Sequence, residues 1–328
     1  MGKINFIVIQ NGDVFDVSEL VISATWQGRR GSAARSLTVN LLDDYGYGHT
    51  RSYVKVEEGH QCIFSIDGTE LFRGMIMKQT YTNKKTMSIT AYDNGIYLSN
   101  NKDTFTYNNI TATEVFKDCC KRFGIPYSEA ADTQYKISEL TKSSTTAWDA
   151  VSDALSQTYE ANGIRYYVMS DKGKLKLIRR RENIVQWVIE KGQNLISYSY
   201  GNSIENIKTR IKILSKEGEV VSQKINSDIE KKIGIFQDIG KPEEDANEAK
   251  SIELAANLLK EKCEPNRSFT VEAMGIAEVY SGVGVFIIIK EIGMSRTFYV
   301  EEDTHTFSDN KHSMKLKLNF AADIKELE

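Results

Sequence analysis

The chain has 328 residues, 41% of them hydrophobic and 27% charged, which is the composition of an ordinary soluble globular protein with two or three domains. Its net charge of −3 argues against a dedicated nucleic-acid binder, because such proteins are normally basic overall. No segment approaches the roughly 18 apolar residues of a membrane span, and the N-terminus lacks a signal-peptide core. The four cysteines have no CxxC spacing, so we expect small core residues of a protein made in a reducing compartment.

Residues 1–99 contain short apolar segments separated by Gly, Asn and Asp. The candidate strands cover residues 4–9, 20–26, 36–42, 54–56, 62–66, 71–81 and 86–92. Asp67 and Gly68 separate two of these strands, and glycine takes a positive φ in such a turn without a Cβ clash. The spacing predicts a first β-module with the form of a sandwich or barrel.

Residues 100–192 have a mixed pattern, which predicts a small α+β domain of two helices and a hairpin. Thr111 and Glu114 have the spacing of a capping box at the start of the first helix, which ends near Gly124. The second helix is predicted from about Thr145 to Asn162. The hairpin strands cover residues 164–169 and 174–178.

Residues 193–328 return to a β pattern and predict a second β-module. The candidate strands cover residues 207–214, 220–225, 268–274, 283–290, 297–302 and 314–320. A helix predicted over residues 245–262 interrupts this module, and Pro265 follows its end. The fold class is therefore α+β and mostly β, with two related β-barrel or sandwich modules flanking the small α+β domain.

The two β-modules contain similar patterns of turn glycines and aromatic residues. In the first module the matched positions are Gly59, Gly68, Phe72, Tyr81 and Met87, and in the second they are Gly284, Gly293, Phe298, Phe307 and Met314. The separation along the chain between a residue of the first copy and its counterpart in the second is the same for the two glycine pairs. It is slightly longer for the methionine pair. The second copy therefore has its extra residues in turns, where a sheet tolerates a change in length. Chance is the alternative, because any two hairpins share alternation and turn glycines. A true duplication would give a trimer of this chain six related modules.

The sequence carries few signals of catalysis. It contains no phosphate-binding loop, no dinucleotide motif and no GxSxG nucleophile motif. Asp303, His305, Asp309 and His312 form the best metal constellation, since strand alternation would place Asp303 and His305 on one face. A solvated hairpin tip is the interpretation that we favour for these four residues. We therefore predict no catalytic residue, no metal, no cofactor and no enzymatic activity.

Arg29, Arg30 and Arg35 are the most suggestive polar residues, and they surround a glycine-rich turn. The planar guanidinium of arginine suits ion pairs at interfaces because it donates a fork of hydrogen bonds. A plain solvated turn between strands is the alternative. We predict a protein interface at these three residues.

Six segments spread over nearly the whole chain have distinctive apolar and turn positions. They are Leu71-Phe-Arg-Gly-Met-Ile76, Ser88-Ile-Thr-Ala-Tyr-Asp93, Thr111-Ala-x-x-Val-Phe-x-x-Cys-Cys120, Trp148-Asp-x-Val-Ser-x-Ala-Leu155, Gly293-x4-Phe298-Tyr-Val300 and His312-Ser-Met-x-Leu316. These segments resemble the late control protein D family of contractile phage tails. The similarity extends to the XkdQ-like hub proteins of PBSX-type defective prophages and R-type bacteriocins.

The resemblance implies a structural baseplate hub in the tail of a virion or phage-tail-like particle, assembled in the bacterial cytoplasm. In that family two tube-like β-modules per chain form a ring with pseudo-six-fold symmetry when three chains associate. The implied partners are two further copies of the chain, a hexameric tail tube protein, a trimeric spike protein and other baseplate proteins. The lumen would pass DNA or stay empty, without sequence-specific binding of nucleic acid.

Two other functions stay open for the sequence. One is a tail-associated peptidoglycan hydrolase that uses a hidden carboxylate or the His305 and His312 pair. The other is the spike hub of a secretion-system-like injection machine. A carbohydrate-binding β-module is disfavoured, because Trp26, Trp148 and Trp187 are scattered over the three predicted domains.

Overall fold

The computed structural model describes residues 2–42, 56–83, 86–180, 184–215, 218–240 and 248–319. Most of the candidate strand at 54–56 and the first residues of the helix predicted over 245–262 lie outside these ranges. The chain forms two compact units, one of Met1–Tyr198 with Thr270–Glu328 and one of Ser199–Phe269. No helix of the described residues is long and apolar enough to cross a membrane.

The described residues of the first segment of unit 1 form β-strands and one turn of 3-10 helix. Its strands are β1 Ile4–Gln10, β2 Asp13–Asp16, β3 Val21–Arg29, β4 Ser36–Leu42, β5 Gln61–Ile66, β6 Thr69–Tyr81 and β7 Thr86–Tyr92. Alternate residues of β4 are buried, which places Leu37, Val39 and Leu41 in the core. The hairpin turn predicted between β5 and β6 is confirmed, since Asp67 and Gly68 both have positive φ, 48° and 78°.

The middle segment contains helices and two small sheets. Its elements are α1 Gly95–Asn100, β8 Lys102–Thr111, α2 Ala112–Arg122, β9 Tyr127–Ala130, β10 Lys136–Thr146, α3 Ala147–Asn162, β11 Tyr166–Asp171 and β12 Lys174–Arg179. The predicted capping box at Thr111 and Glu114 is confirmed, and Thr146 forms a second box with Asp149. Gly163 ends α3 in the left-handed conformation at φ 71°. Helices α2 and α3 pack against the paired strands β8 and β10 over one apolar core.

The last segment of unit 1 repeats the strand order of the first. Its strands are β13 Ile184–Glu190, β14 Leu195–Ser203, β18 Asn266–Met274, β19 Gly284–Ile289, β20 Met294–Ser308 and β21 Lys311–Asn319. Strands β14 and β18 cross the boundary into unit 2, which also contains β15 to β17. Neighbouring strands follow the order β3-β4-β7-β6-β5-β1 in the first segment and β14-β18-β21-β20-β19-β13 in the last. The pairing of β1 with β5 is antiparallel, whereas β13 pairs with β19 in parallel. The predicted pair of related β-modules is therefore confirmed, with one reversed strand.

Residue-level contacts repeat as well. The segments Arg35-Ser-Leu-Thr-Val39 and Arg267-Ser-Phe-Thr-Val271 open β4 and β18 at equivalent places. Asn40 donates a hydrogen bond to Ser23 across β3 and β4 at 2.9 Å. At the equivalent places of β14 and β18, Ser197 donates to Glu272 at 2.8 Å.

Register shifts in the two long strands, β6 and β20, show which residues of the second half of the repeat are equivalent. The register of β6 shifts at Met77 and that of β20 shifts at Glu301, which makes these two residues equivalent. The sequence match, which paired Phe72 with Phe298, would instead set Met77 against Asp303. The structural alignment therefore differs from the sequence match by two positions. This difference keeps every side chain on its face, because strand side chains alternate with a period of two.

Strand β20 joins the two β-modules into one sheet. Its second half pairs antiparallel with β3, and His305 lies opposite Trp26. Its first half pairs with β19 on the same side, from Met294 to Tyr299. The predicted division at residues 1–99, 100–192 and 193–328 stays a prediction, since the two compact units follow different bounds.

Between β14 and β18, unit 2 contains a small α/β insertion. Its elements are β15 Arg210–Leu214, β16 Val220–Ile225, α4 Ser227–Ile233, β17 Gln237–Gly240 and α5 Glu248–Lys262. Helix α5 packs on the three-stranded sheet through Ala255, Ile211 and Ile213. The helix predicted to interrupt the second module is thus present, together with three strands and a second helix.

Candidate functional site

Arg35 and Asp303 form a buried ion pair where β3 and β4 meet β20. Arg35 donates two parallel hydrogen bonds, with Nη1 to Oδ1 at 2.9 Å and Nη2 to Oδ2 at 2.5 Å. The Asp303 side chain is fully buried and that of Arg35 is 10% exposed. A Cβ at position 28 would lie 2.5 Å from Arg35 Nη1, so Gly28 gives the guanidinium room against β3. This fork geometry is the strong form of an arginine–carboxylate contact.

Several neighbouring groups contact this ion pair. The Arg35 guanidinium lies 4.1 Å from the centroid of the Trp26 ring and also donates to the Ser281 hydroxyl at 3.0 Å. The backbone N–H of Ser281 donates to Asp303. Asp93 accepts backbone hydrogen bonds from Arg35 and Gly95, yet its full burial raises its pKa to about 6. The first and last β segments are therefore held together by polar contacts inside the protein.

A second charged cluster lies at the other end of the same turn. Arg30 Nε donates to Glu301 Oε2 at 2.5 Å, and Arg180 Nη2 donates to Glu301 Oε1 at 3.1 Å. Burial alone would raise the pKa of Glu301, but the charges of Arg30 and Arg180 outweigh it and lower that pKa below its usual value. One carboxylate thus joins β20 both to the β3–β4 turn and to the end of β12.

His305 and His312 contact each other across β20 and β21. The Nε2 of His305 donates to the Val279 carbonyl at 2.8 Å, which leaves its Nδ1 to accept from His312 Nε2 at 2.9 Å. Burial lowers the pKa of His305 to about 4, and burial together with the neighbouring ring lowers that of His312 to about 4. Both rings are therefore neutral near neutral pH.

The solvated interpretation of the metal constellation is wrong for two of its residues. Asp303 and His305 are buried, and their polar atoms are occupied by Arg35, Ser281, Val279 and His312. Asp309 is exposed in the turn between β20 and β21, with φ 49°. Within the described ranges, no three His, Cys, Asp or Glu side chains are arranged to hold a metal ion.

The three arginines predicted at an interface lie in one turn but in different surroundings. Arg29 is exposed beside a groove of about 350 Å³ that Gln27, Glu302 and Thr304 also line. Arg30 is half-buried against Glu301, and Arg35 is buried against Asp303. Sequence reasoning missed both carboxylates as partners because they lie 271 and 268 residues away along the chain. The repeated Arg-Ser-[Leu/Phe]-Thr-Val segment was the available signal that Arg35 has a defined structural place.

Solved structures with a similar fold are phage tail proteins and related secretion-system proteins. The 43 kDa tail protein of prophage MuSo2 from Shewanella oneidensis matches with a TM-score of 0.71 at 13% identity, over 96% of this chain and 97% of that chain. The tail protein from Neisseria meningitidis MC58 matches with a TM-score of 0.68 at 12% identity, over 97% of each chain. The E. coli c3393 protein, a component of the type VI secretion system, matches with a TM-score of 0.56 at 9% identity, over 92% of this chain and 74% of that chain. The fold is that of phage tail proteins.

Sequence relatives make the assignment more specific. Residues 24–319 match the family model described as YqbQ-like. The chain is 32% identical over 298 residues to the uncharacterized protein YqbQ of Bacillus subtilis, and 32% identical over 299 residues to the phage-like element PBSX protein XkdQ of the same bacterium. Both alignments cover 90% of this chain and 90% of the relative. The protein belongs to the YqbQ-like family and has the fold of phage tail proteins.

Proposed function

We propose that this chain is the baseplate hub of a contractile tail, carried by a phage or a phage-tail-like particle such as a bacteriocin. Three copies would form a ring of six related β-modules, one face meeting a hexameric tail tube and the other a trimeric central spike. The observation that carries the proposal is the repeated strand order β3-β4-β7-β6-β5-β1 and β14-β18-β21-β20-β19-β13. A three-fold object can present a six-fold surface only if each chain carries the contacting module twice.

The geometry of the junction supports a permanent arrangement of the two modules. Both ion pairs join a residue near the β3–β4 turn to a residue of β20, and one of them is buried and bidentate. A ring that bears mechanical load needs modules in a constant orientation. The buried contacts at Arg35 and Asp303 provide such a constraint within one chain.

Purification of tail particles from the bacterium that encodes this chain tests the proposal. We expect the chain to copurify with the particles and to appear in electron micrographs as three copies at the end of the tube next to the spike. Its absence from purified particles, or a copy number that three-fold symmetry does not allow, would sink the hub assignment.

Arg29 is the cleanest probe of the tube-facing surface. Its side chain is exposed, whereas charge reversal at Arg30 or Arg35 would break contacts with Glu301 or Asp303. We expect Arg29→Glu to reduce attachment of the tube, measured as the fraction of particles with a joined tube and baseplate. Lys117→Glu, an exposed charge reversal on α2, is the matched control. Unchanged attachment in Arg29→Glu would remove this residue from the interface.

A secretion-system spike hub is the second candidate, favoured by the similarity in fold to the c3393 protein of the type VI secretion system. Copurification separates the two, because a spike hub would be found with secretion-system components rather than with phage tails. We also propose that the chain performs no turnover. Zymography on peptidoglycan, with and without chelator, tests this point, and a cleared band that maps to this chain would contradict it.

A further inference from the structure

A groove of about 260 Å³ lies beside helix α3. Trp148, Leu155 and Tyr159 line it from the helix, where their spacing places them along one face. Arg30 lines it from the β3–β4 turn, and Arg165 lines it just before β11. The three helix side chains are only partly buried, so each leaves apolar surface open to the groove.

Both arginines have hydrogen-bond donors that are not used within the described residues. Arg165 lies over the Tyr159 ring, with Cζ 3.6 Å from the ring centroid, and its Nε is buried without a hydrogen-bond partner there. Arg30 donates through Nε to Glu301, and in the same part of the chain its two Nη atoms have no acceptor. Glu160 is the acidic residue of the lining and is exposed. A ligand for this groove should therefore combine an apolar surface with a carboxylate, which guanidinium groups bind through paired hydrogen bonds.

The end of β21 lies close to this groove. Asn319, the last residue of β21, donates a hydrogen bond to Glu301 at 2.8 Å, and Glu301 also accepts from Arg30. A single carboxylate thus separates the end of the strand from a residue that lines the groove. Nine residues follow in the sequence, 320 to 328, and an extended segment of this length reaches at most about 30 Å. That reach exceeds the length of α3, whose 16 residues span about 24 Å.

Residues 320–328 have the chemistry that the groove requires. Their sequence is Phe-Ala-Ala-Asp-Ile-Lys-Glu-Leu-Glu, in which Phe320, Ile324 and Leu327 have the spacing of one helical face. Asp323 and Glu326 have the spacing of neighbours beside that face. Three acidic residues and one lysine give the segment a net negative charge, whereas the groove has two arginines and one glutamate. The segment and the groove are therefore complementary in charge and both have an apolar surface.

We propose that residues 320–328 dock in the α3 groove of their own chain, with their apolar side chains against the helix and their carboxylates towards Arg30 and Arg165. The occupant is this segment because Asn319 is already held beside the groove, which gives the residues that follow it a high effective concentration there. Docking fastens the end of the second β-module to the helical middle segment. The inference concerns a single chain and goes beyond the proposed function, on which it does not depend.

Cross-linking in the full-length chain tests the docking. Ser156 is exposed in the groove lining and the native cysteines are all buried, so Ser156→Cys and Lys325→Cys would supply the reactive thiols. We expect a short bismaleimide to join the two thiols within one chain, detected by mass spectrometry of peptides from the monomer band. Lys117→Cys combined with Lys325→Cys is the matched control and should not cross-link, because Lys117 is exposed on α2 and does not line the groove.

Exchange of charges tests the contact with the arginine. In the cross-linking variant, Arg165→Glu should lower the rate of linking by about tenfold, because an attraction becomes a repulsion between like charges. Asp323→Lys together with Glu326→Lys should restore the rate in that background. Recovery of the rate would also show that the loss did not come from misfolding. Lys117→Glu, the matched single reversal, should leave the rate unchanged.

Three results would overturn the inference. A chain with Ser156→Cys and Lys325→Cys that stays unlinked would mean that the segment does not occupy the groove. Links found only in dimers would assign the segment to the groove of a second copy. A rate of linking that Arg165→Glu leaves unchanged would remove the guanidinium from the contact. None of these results bears on the hub assignment, which is tested by the copy number of the chain in tail particles.

Discussion

Arg35 and Asp303 carry opposite charges into a largely buried region, and each depends on the other there. Two charges that lose their hydration are stabilised only by good geometry, which the two parallel hydrogen bonds supply. The Trp26 ring beside the guanidinium adds a favourable electrostatic contact. The pair therefore gives the junction a unique arrangement, while its net contribution to stability stays modest.

Removal of one partner should cost far more than removal of both. We expect Arg35→Met to lower the free energy of unfolding by about 3–5 kcal/mol, because it leaves the Asp303 carboxylate buried without a counter-charge. The double variant Arg35→Met with Asp303→Leu should recover much of that loss. Chemical denaturation followed by circular dichroism measures both. Arg30→Met is the control, since Glu301 keeps Arg180, and an equal loss in that variant would contradict this account.

The histidine pair predicts a loss of stability in mild acid. The pKa of His305 is about 4 in the folded chain against an ordinary value of 6.5, so the unfolded chain binds the proton more readily. Stability from this residue is complete above the ordinary pKa and is lost as pH falls toward the folded pKa. Asp93 acts in the opposite direction, because its raised pKa makes ionisation in the folded state costly as pH rises through about 6.

A glutamine variant isolates the contribution of His305. Glutamine can donate to the Val279 carbonyl and accept from His312, but it does not titrate. From about pH 7.5 to about pH 5, the unfolding free energy of the native chain should fall by about 2 kcal/mol more than that of His305→Gln. Asp93 is present in both chains, so its contribution to the pH dependence cancels in the difference between them. Parallel pH profiles for the two chains would show that His305 does not titrate in this way.

At the scale of single elements, local sequence was a good guide wherever the contacts are local. A capping box needs residues only three positions apart, so Thr111 and Glu114 were enough to place the start of α2. The same holds for the turn at Asp67 and Gly68, whose backbone conformation glycine makes accessible.

Long-range contacts explain what the sequence did not reveal. Strand β3 lies near the start of the sequence and β20 near its end. No local sequence pattern encodes such a distant pairing partner. For this reason Arg30 and Arg35 were identified as notable but their carboxylates were not, and Asp303 and His305 were assigned to a solvated tip. The segments beginning at Arg35 and Arg267 could have extended the repeat to β4 and β18.

The cap of α3 offers a clean test of element stability. Thr146 accepts a hydrogen bond from the backbone N–H of Asp149, and the Asp149 carboxylate accepts one from the backbone N–H of Thr146. We expect Thr146→Ala to lower the free energy of unfolding by about 1 kcal/mol, measured by denaturant titration. Thr146→Ser keeps the hydroxyl and should retain most of the stability. Equal losses in the two variants would mean that the cap hydrogen bond is not responsible.

At the scale of the whole molecule, the duplication shows which part of the chain is an insertion. The first module connects β3 to β4 through residues 30–35 alone. The second module connects the equivalent strands β14 and β18 through most of unit 2. The first module therefore has no counterpart of residues 204–265, the part of unit 2 that lies between β14 and β18.

Replacement of residues 204–267 by the turn of residues 30–35 should leave unit 1 folded. The graft restores the connection that the first module already uses between equivalent strands. We expect a monomeric product with cooperative thermal unfolding and a β-type circular dichroism spectrum. An aggregated or non-cooperative product would show that unit 2 contributes to the folding of the sheet. A graft of Gly and Ser residues, equal in length to the native turn, separates the effect of length from that of sequence.

The pairing of β3 with β20 has a consequence for the order in which the protein is made. While a ribosome is still translating, the nascent N-terminal module lacks the strand that covers β3, because residues 302–308 have not yet been synthesised. The first module can therefore complete its sheet only when almost the entire polypeptide has emerged. A truncated product would keep that backbone edge uncovered and would be a target for proteolysis or aggregation.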